Sequence, residues 1–297
     1  MQAATVLAAV RTVHFGAVIV LFGQFAYAWA VAPHREAPPA FRAMTAWSAV
    51  LIVATGIAWL ALEAIGMSGL PPAEALAPGT LAVVVAQTLF GRVWLVRMVL
   101  AAAIAVALWR LAGSPRDERH GATFTCASIL SLLLLLSLAP SGHAAGGRGV
   151  DGALRLCADG LHLLCAGAWL GALVPLIAVL RPGSQGDDAA RLAATRRFST
   201  LGIASVAAIL LSGIVNAAYT VDDFSTTLDT RYGELLVTKV AVFAVIVGFA
   251  AVNRMVLMPR AGLRALQRNA IAECVLGFCI IAIVGELGIT IPAAHHH

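Results

Sequence analysis

The sequence predicts an all-α membrane protein: a bundle of eight transmembrane helices with both termini on the periplasmic side. Three observations predict it. Sixty percent of the residues are apolar and only 12% are charged, where a soluble domain carries roughly a quarter charged residues. Apolar runs of about 20 residues, the length that crosses a hydrocarbon core, recur from one end of the chain to the other. Arginines gather in alternate connections between those runs. The runs are continuous rather than alternating, which excludes a membrane β-barrel.

The expected spans are Val6–Val31, Ala43–Ile65, Arg92–Leu111, Gly121–Leu138, Ala153–Leu180, Phe198–Val221, Tyr232–Leu257 and Asn269–Ile291. They form one domain over residues 1–291, with 292–297 as a C-terminal tail. Proline and glycine punctuate the joints, as in "VAPHREAPP", "APSGHAAGG" and "RPGSQGDD". Between the second and third spans lies "LPPAEALAPGTLAVVVAQTLFG". Its apolar part is too short to cross a bilayer and reads as a partly helical cap at the interface.

Orientation follows from the arginines. The connections after spans one, three, five and seven hold Arg35, Arg42, Arg110, Arg116, Arg119, Arg181, Arg191, Arg196, Arg197, Arg254, Arg260, Arg264 and Arg268. The opposite connections hold only Arg148 and Arg231. Basic residues accumulate on the cytoplasmic side, so both termini are expected outside. The net charge of +5 is then a topological signal rather than a nucleic-acid surface. A cleaved leader ending near "FAYAWA" would lack a basic n-region and would invert this arginine pattern, so span one is read as retained.

Several chemistries find no support. The five cysteines lie in or beside spans without a CxxC pair, so they read as small hydrophobes rather than a disulfide set. No P-loop, dinucleotide fingerprint or G-x-S-x-G is present, and the chain is not expected to be an enzyme. No internal repeat is evident.

Polar groups inside hydrocarbon are costly and are the default functional candidates. His14 lies about two turns into span one and His162 at similar depth in span five, while His143 sits in the outer connection "SGHAAGG". Imidazole is a common ligand for copper, zinc, nickel and haem iron. Asp159 and Cys165 share a helical face with His162. Asp159 is placed to accept the second ring N–H of that histidine, and Cys165 to serve as a further ligand. Three imidazoles at one depth predict convergence on one ion at about 2 Å. Arg97, Lys239 and Glu273 are the charges expected to need partners inside the bundle. Cys126, Cys274, Cys279, Met255 and Met258 offer softer donors nearer the inner face. "GAWLG" at 167–171 reads as close helix packing.

The segments "APSGHA", "DGLHLLCAGAWLGAL", "RFSTLGIASVAAILLSGIVNA" and "RYGELLVTKVAVFAVIVGFAAVNR", together with "RTVHFGAVIVLFG" and "TLFGRVWLVRM", resemble the copper resistance D family (CopD/PcoD). The resemblance runs over nearly the whole chain. It implies a multi-pass protein of the bacterial inner membrane that handles copper, as Cu(I) or Cu(II). It also implies a small periplasmic copper-binding partner of the CopC type, and movement of copper from periplasm towards cytoplasm or its handling at the membrane. The histidines matching the family's pattern are His14, His143 and His162. Two other readings stay open: a protein that holds copper for a periplasmic client without translocating it, and a redox protein with His14 and His162 as ligands of a b-type haem. His295, His296 and His297 are left out of the site because they resemble the start of a purification tag.

Overall fold

The computed structural model describes residues 2–32, 39–113, 118–141, 149–184, 187–220 and 227–290. The helices are α1 (Gln2–Ala30), α2 (Pro39–Ser68), α3 (Pro72–Ala75), α4 (Pro78–Gln87), α5 (Leu89–Gly113) and α6 (Glu118–Leu136). Next comes α7 (Gly149–Ala166), which runs through a π-helical turn (Gly167–Gly171) into α8 (Ala172–Val179). The rest are α9 (Asp188–Thr220), α10 (Arg231–Val252) with a second π turn (Asn253–Leu257), and α11 (Leu263–Leu287). No strand occurs among the described residues.

Among the described residues, seven helical stretches are long and apolar enough to cross a membrane: Ala3–Ala30, Phe41–Ser68, Leu89–Leu111, Val150–Val179, Asp188–Tyr219, Arg231–Leu257 and Leu263–Leu287. The remaining expected span, 121–138, is α6, whose apolar part, Gly121–Leu136, is shorter than the others. The expected interfacial cap between spans two and three is the pair of short helices α3 and α4, each opened by a proline in its first turn. There the missing N–H costs nothing.

Several helices outrun the apolar window. α9 begins ten residues before the expected Phe198, because "DAARLAATRR" is rich in good helix formers. That start is fastened by the Asp187 carboxylate, which accepts the amide N–H of Ala190 at 2.8 Å. α11 likewise begins at Leu263 rather than at Asn269.

α1 is the central post. One side packs with α2, α5 and α6 in a core holding Leu21, Phe25, Ile52, Trp59, Leu134 and Leu135. Its far end, at Tyr27 and Val31, joins a second core with Trp169, Leu173, Leu176, Ile246 and Leu266. Where α1 meets the π turn there is no room for side chains. A Cβ on Gly23 would strike the backbone of Gly171, and one on Gly171 would strike the Ile19 carbonyl. "GAWLG" is thus a packing element, as expected. Just beyond it, Pro175 lies inside α8 and can give no N–H to the preceding turn. A π turn beside such a lost bond lets the helix continue.

α1 and α11 run antiparallel, side by side. Arg11 lies against Gly288, Thr12 against Gly285 and Gly16 against Phe278. The start of the first helix and the end of the last therefore occupy the same end of the bundle.

Candidate metal centre

His14 sits midway along α1 and is 0% exposed. Its Nδ1 lies 2.9 Å from the hydroxyl of Thr55 on α2. The single hydroxyl proton of Thr55 is already given to the Leu51 carbonyl of its own helix, so Thr55 can only accept from the ring. Nδ1 therefore carries the proton and Nε2 carries the lone pair. That Nε2 is buried and has no hydrogen-bond partner among the described residues. A buried polar atom left this way is costly unless something else fills the need.

The ring is walled by aromatics. Trp59 stands edge-on to it with centroids 5.4 Å apart, and the Met98 side chain packs beside it over Gly56. Two guanidinium groups, Arg11 and Arg97, each lie 5.0 Å from the Trp59 ring. Trp59 in turn donates its indole N–H to Glu63 at 3.0 Å. Arg97, 1% exposed, donates to the Ser137 carbonyl at 2.8 Å and to its hydroxyl at 3.3 Å. This is the internal partner that a buried arginine demands.

His162, half-buried on α7, repeats the tautomer logic against α9. Its Nδ1 is 3.1 Å from the Ser212 hydroxyl, and Ser212 gives its proton back to the Ala208 carbonyl at 2.7 Å. Nε2 again carries the lone pair. Asp159 does not orient this ring as expected; its carboxylate accepts from the Asn216 side chain at 2.6 Å. Lys239 on α10 is an electrostatic neighbour of both Asp159 and His162, so it faces the bundle and not only lipid. Cys165 is half-buried beneath this site and packs into the second core.

The two rings share no partner: His14 is held by α2 and His162 by α9. Among the described residues no three His, Cys, Asp or Glu side chains gather so as to hold a metal ion. His143, the third expected ligand, lies outside the described residues, as do the tail histidines.

The sulfur groups nearer the other end do not line up. Cys126 and Cys279 are exposed on the bundle's outer surface, and all five cysteines are free. Met258 is buried, whereas Met255 points outward. Met258 lines a cavity of about 410 Å³ between α8, α9, α10 and α11, together with Glu273 and Asn253. Glu273, 2% exposed, accepts from Asn253 at 2.6 Å.

Residue-type reasoning missed Gln24, which is fully buried in α1 with neither amide atom hydrogen-bonded. A glutamine inside an apolar run was the available signal. It also missed Thr55 and Ser212, since hydroxyls in a span ordinarily bond their own helix and attract no notice.

The fold and the buried His14 define a class: a helical membrane protein of several spans, with a bare imidazole nitrogen held inside the bundle. A family model described as Copper resistance protein D-like, N-terminal domain, matches residues 1–153, and one described as Copper resistance protein D matches 192–287. The chain belongs to the copper resistance D family and is a copper-handling membrane protein. It is 30% identical to Inner membrane protein YebZ of Escherichia coli (strain K12), over 85% of this chain and 84% of that one. It is 33% identical to Copper resistance protein D of Pseudomonas syringae pv. tomato, over 78% and 74%. With Copper transport protein CutJ of Bacillus subtilis (strain 168) it shares 25% identity, over 70% of this chain and 38% of that protein. No solved structure matches the chain.

Proposed function

We propose that the chain moves copper inward across the bacterial inner membrane, taking it from the periplasm with His14, His143 and His162 as ligand histidines. The observation that carries this is the Nε2 of His14: buried, deprotonated by its tautomer and without a partner. Neutral imidazole nitrogen in that state is a ligand for copper in either oxidation state. The relative named as a copper transport protein supports movement rather than storage. Copper is the cargo in this reading, and the chain performs no catalysis. A periplasmic CopC-type protein is the expected donor.

Topology fits the same reading. The antiparallel register of α1 and α11 supports an even number of crossings, which makes α6 the eighth. At about 1.5 Å per residue its 19 residues reach roughly 28 Å, close to a hydrocarbon thickness. The arginine-rich connections then face the cytoplasm and both termini the periplasm.

The test is copper uptake into vesicles containing the purified protein, with metal content measured in parallel. Uptake by wild type and its loss in His14→Ala support transport. Binding at the outer face without accumulation would instead favour a protein that holds copper for a client.

A further inference from the structure

The two histidines are built into the same frame, and the parts of that frame follow in the same order along the chain. His14 gives its Nδ1–H to Thr55, and the next residue, Gly56, faces the ring: a Cβ there would stand 3.7 Å from His14 Cε1, at ordinary contact distance. His162 gives its Nδ1–H to Ser212, and the next residue, Gly213, would place a Cβ 3.7 Å from His162 Cε1. The local sequences are "TGI" and "SGI".

The following long helix repeats as well. Thr88 and Thr230 each accept the amide N–H of the glycine three residues on, Gly91 at 2.8 Å and Gly233 at 3.1 Å. A Cβ on either glycine would strike the backbone of the preceding turn, at Val84 and Val85 or at Thr227 and Leu228. Six residues after each glycine comes a cation, Arg97 or Lys239, the electrostatic neighbour of the matching histidine. "TLFGRVWLVR" and "TRYGELLVTK" thus share one pattern, T-x-[FY]-G-x5-[RK].

The third observation relates the frames in space. Nine residues after each histidine is a glycine, Gly23 or Gly171, and these two touch backbone to backbone. Where two like units meet about a two-fold axis, equivalent residues touch each other on the axis. The flanking contacts obey the same exchange. α1 packs on the last helix of the second half through Gly16 and Phe278. α7 and its π turn pack on the last helix of the first half through Gly160 with Leu136 and Gly167 with Leu135.

We infer that the chain is a duplicated four-helix unit, α1–α2–α5–α6 repeated as α7/α8–α9–α10–α11 about an axis along the membrane normal, and that it holds two equivalent imidazole sites for a soft monovalent cation, one at His14 and one at His162. The halves have diverged around that frame. Arg11 and Trp59 in the first stand where Asp159 and Asn216 stand in the second, each three residues before the histidine or four after the hydroxyl. The choice of cation rests on the copper reading above; the duplication does not.

Silver(I), a redox-inert stand-in for Cu(I), gives the first test on detergent-purified full-length protein in which the five free cysteines, themselves strong silver ligands, are replaced by alanine; this background stands for wild type in the comparison. Two equivalents in wild type, one in either His14→Ala or His162→Ala, and none in the double variant are expected. One equivalent in wild type, lost in either single variant, would mean a shared site and overturn the inference. Wild type that binds no silver defeats the cation assignment together with the copper reading, and the second test then decides the duplication by itself. Nitrogen NMR of histidine-labelled apo protein should show both rings with protonated Nδ1 and bare Nε2. Thr55→Val should shift only the His14 signals and Ser212→Ala only those of His162. Opposite tautomers in the two rings, or one hydroxyl variant disturbing both, would overturn the equivalence.

Discussion

Gly23 of α1 and Gly171 of the π turn meet with no side chain between them, and that contact closes the middle of the bundle. Gly23→Ala forces two backbones apart, and overpacking of this kind costs about 1–3 kcal/mol. Gly66 of α2 has nothing within 4 Å of an added Cβ. Gly66→Ala should be neutral or stabilising by up to ~1 kcal/mol. Thermal unfolding in one detergent checks both; equal melting temperatures for the two variants would contradict the contact.

Thr55 fixes the tautomer of His14, so its removal should disturb the bare Nε2 rather than merely loosen a helix. Thr55→Val leaves the Nδ1–H of a fully buried ring unpaired, at about 1–3 kcal/mol. It also frees the ring to move its proton to Nε2. Copper affinity should fall in Thr55→Val and recover in Thr55→Ser, with stability recovering in parallel. A Thr55→Ser variant as weak as Thr55→Val would show that the methyl, not the hydroxyl, matters.

Arg97 is tied to Ser137 by its planar fork while its face lies over Trp59. Lysine offers neither the fork nor the stacking surface. Arg97→Lys should therefore lower stability and uptake measurably, and Arg97→Leu should do so severely. Unchanged melting of Arg97→Lys would show that charge alone suffices there.

Gln24 carries two unsatisfied amide atoms in the core, and burial of an unpaired amide costs about 1–3 kcal/mol. Gln24→Leu should raise the melting temperature and lower copper uptake, the trade expected where a strained polar group serves passage. Full uptake in a stabilised Gln24→Leu would leave the amide without a transport role.

Topology is checked by labelling. In a variant lacking the five native cysteines, a cysteine introduced by Gln185→Cys should resist impermeant reagents added from the periplasmic side. A C-terminal reporter active only in the periplasm should be active. Labelling of position 185 from outside would reverse the orientation.

The sequence by itself determined the class, because hydrocarbon imposes the same requirement on every span: about twenty apolar residues with their backbone bonded internally. The arginine asymmetry is equally local and needs no fold to be read. So were the candidate ligands: His14 and His162 stand out because a polar group in a span is expensive wherever it points. Only the tertiary structure decided how those groups are held. Whether Nε2 is bare depends on which hydroxyl faces Nδ1, and Thr55 and Ser212 come from other helices 41 and 50 residues away. Pairing Asp159 with Asn216 instead of His162 was settled by the packing of α7 on α9. The duplicated frame stayed hidden for a related reason. Most positions in a membrane helix accept any apolar residue, so two copies drift until only the spots where backbones touch or a ring must be held keep their identity. Those few glycines, hydroxyls and cations keep their spacing within each helix but not from one helix to the next, and the whole frame comes into register only when the helices are packed.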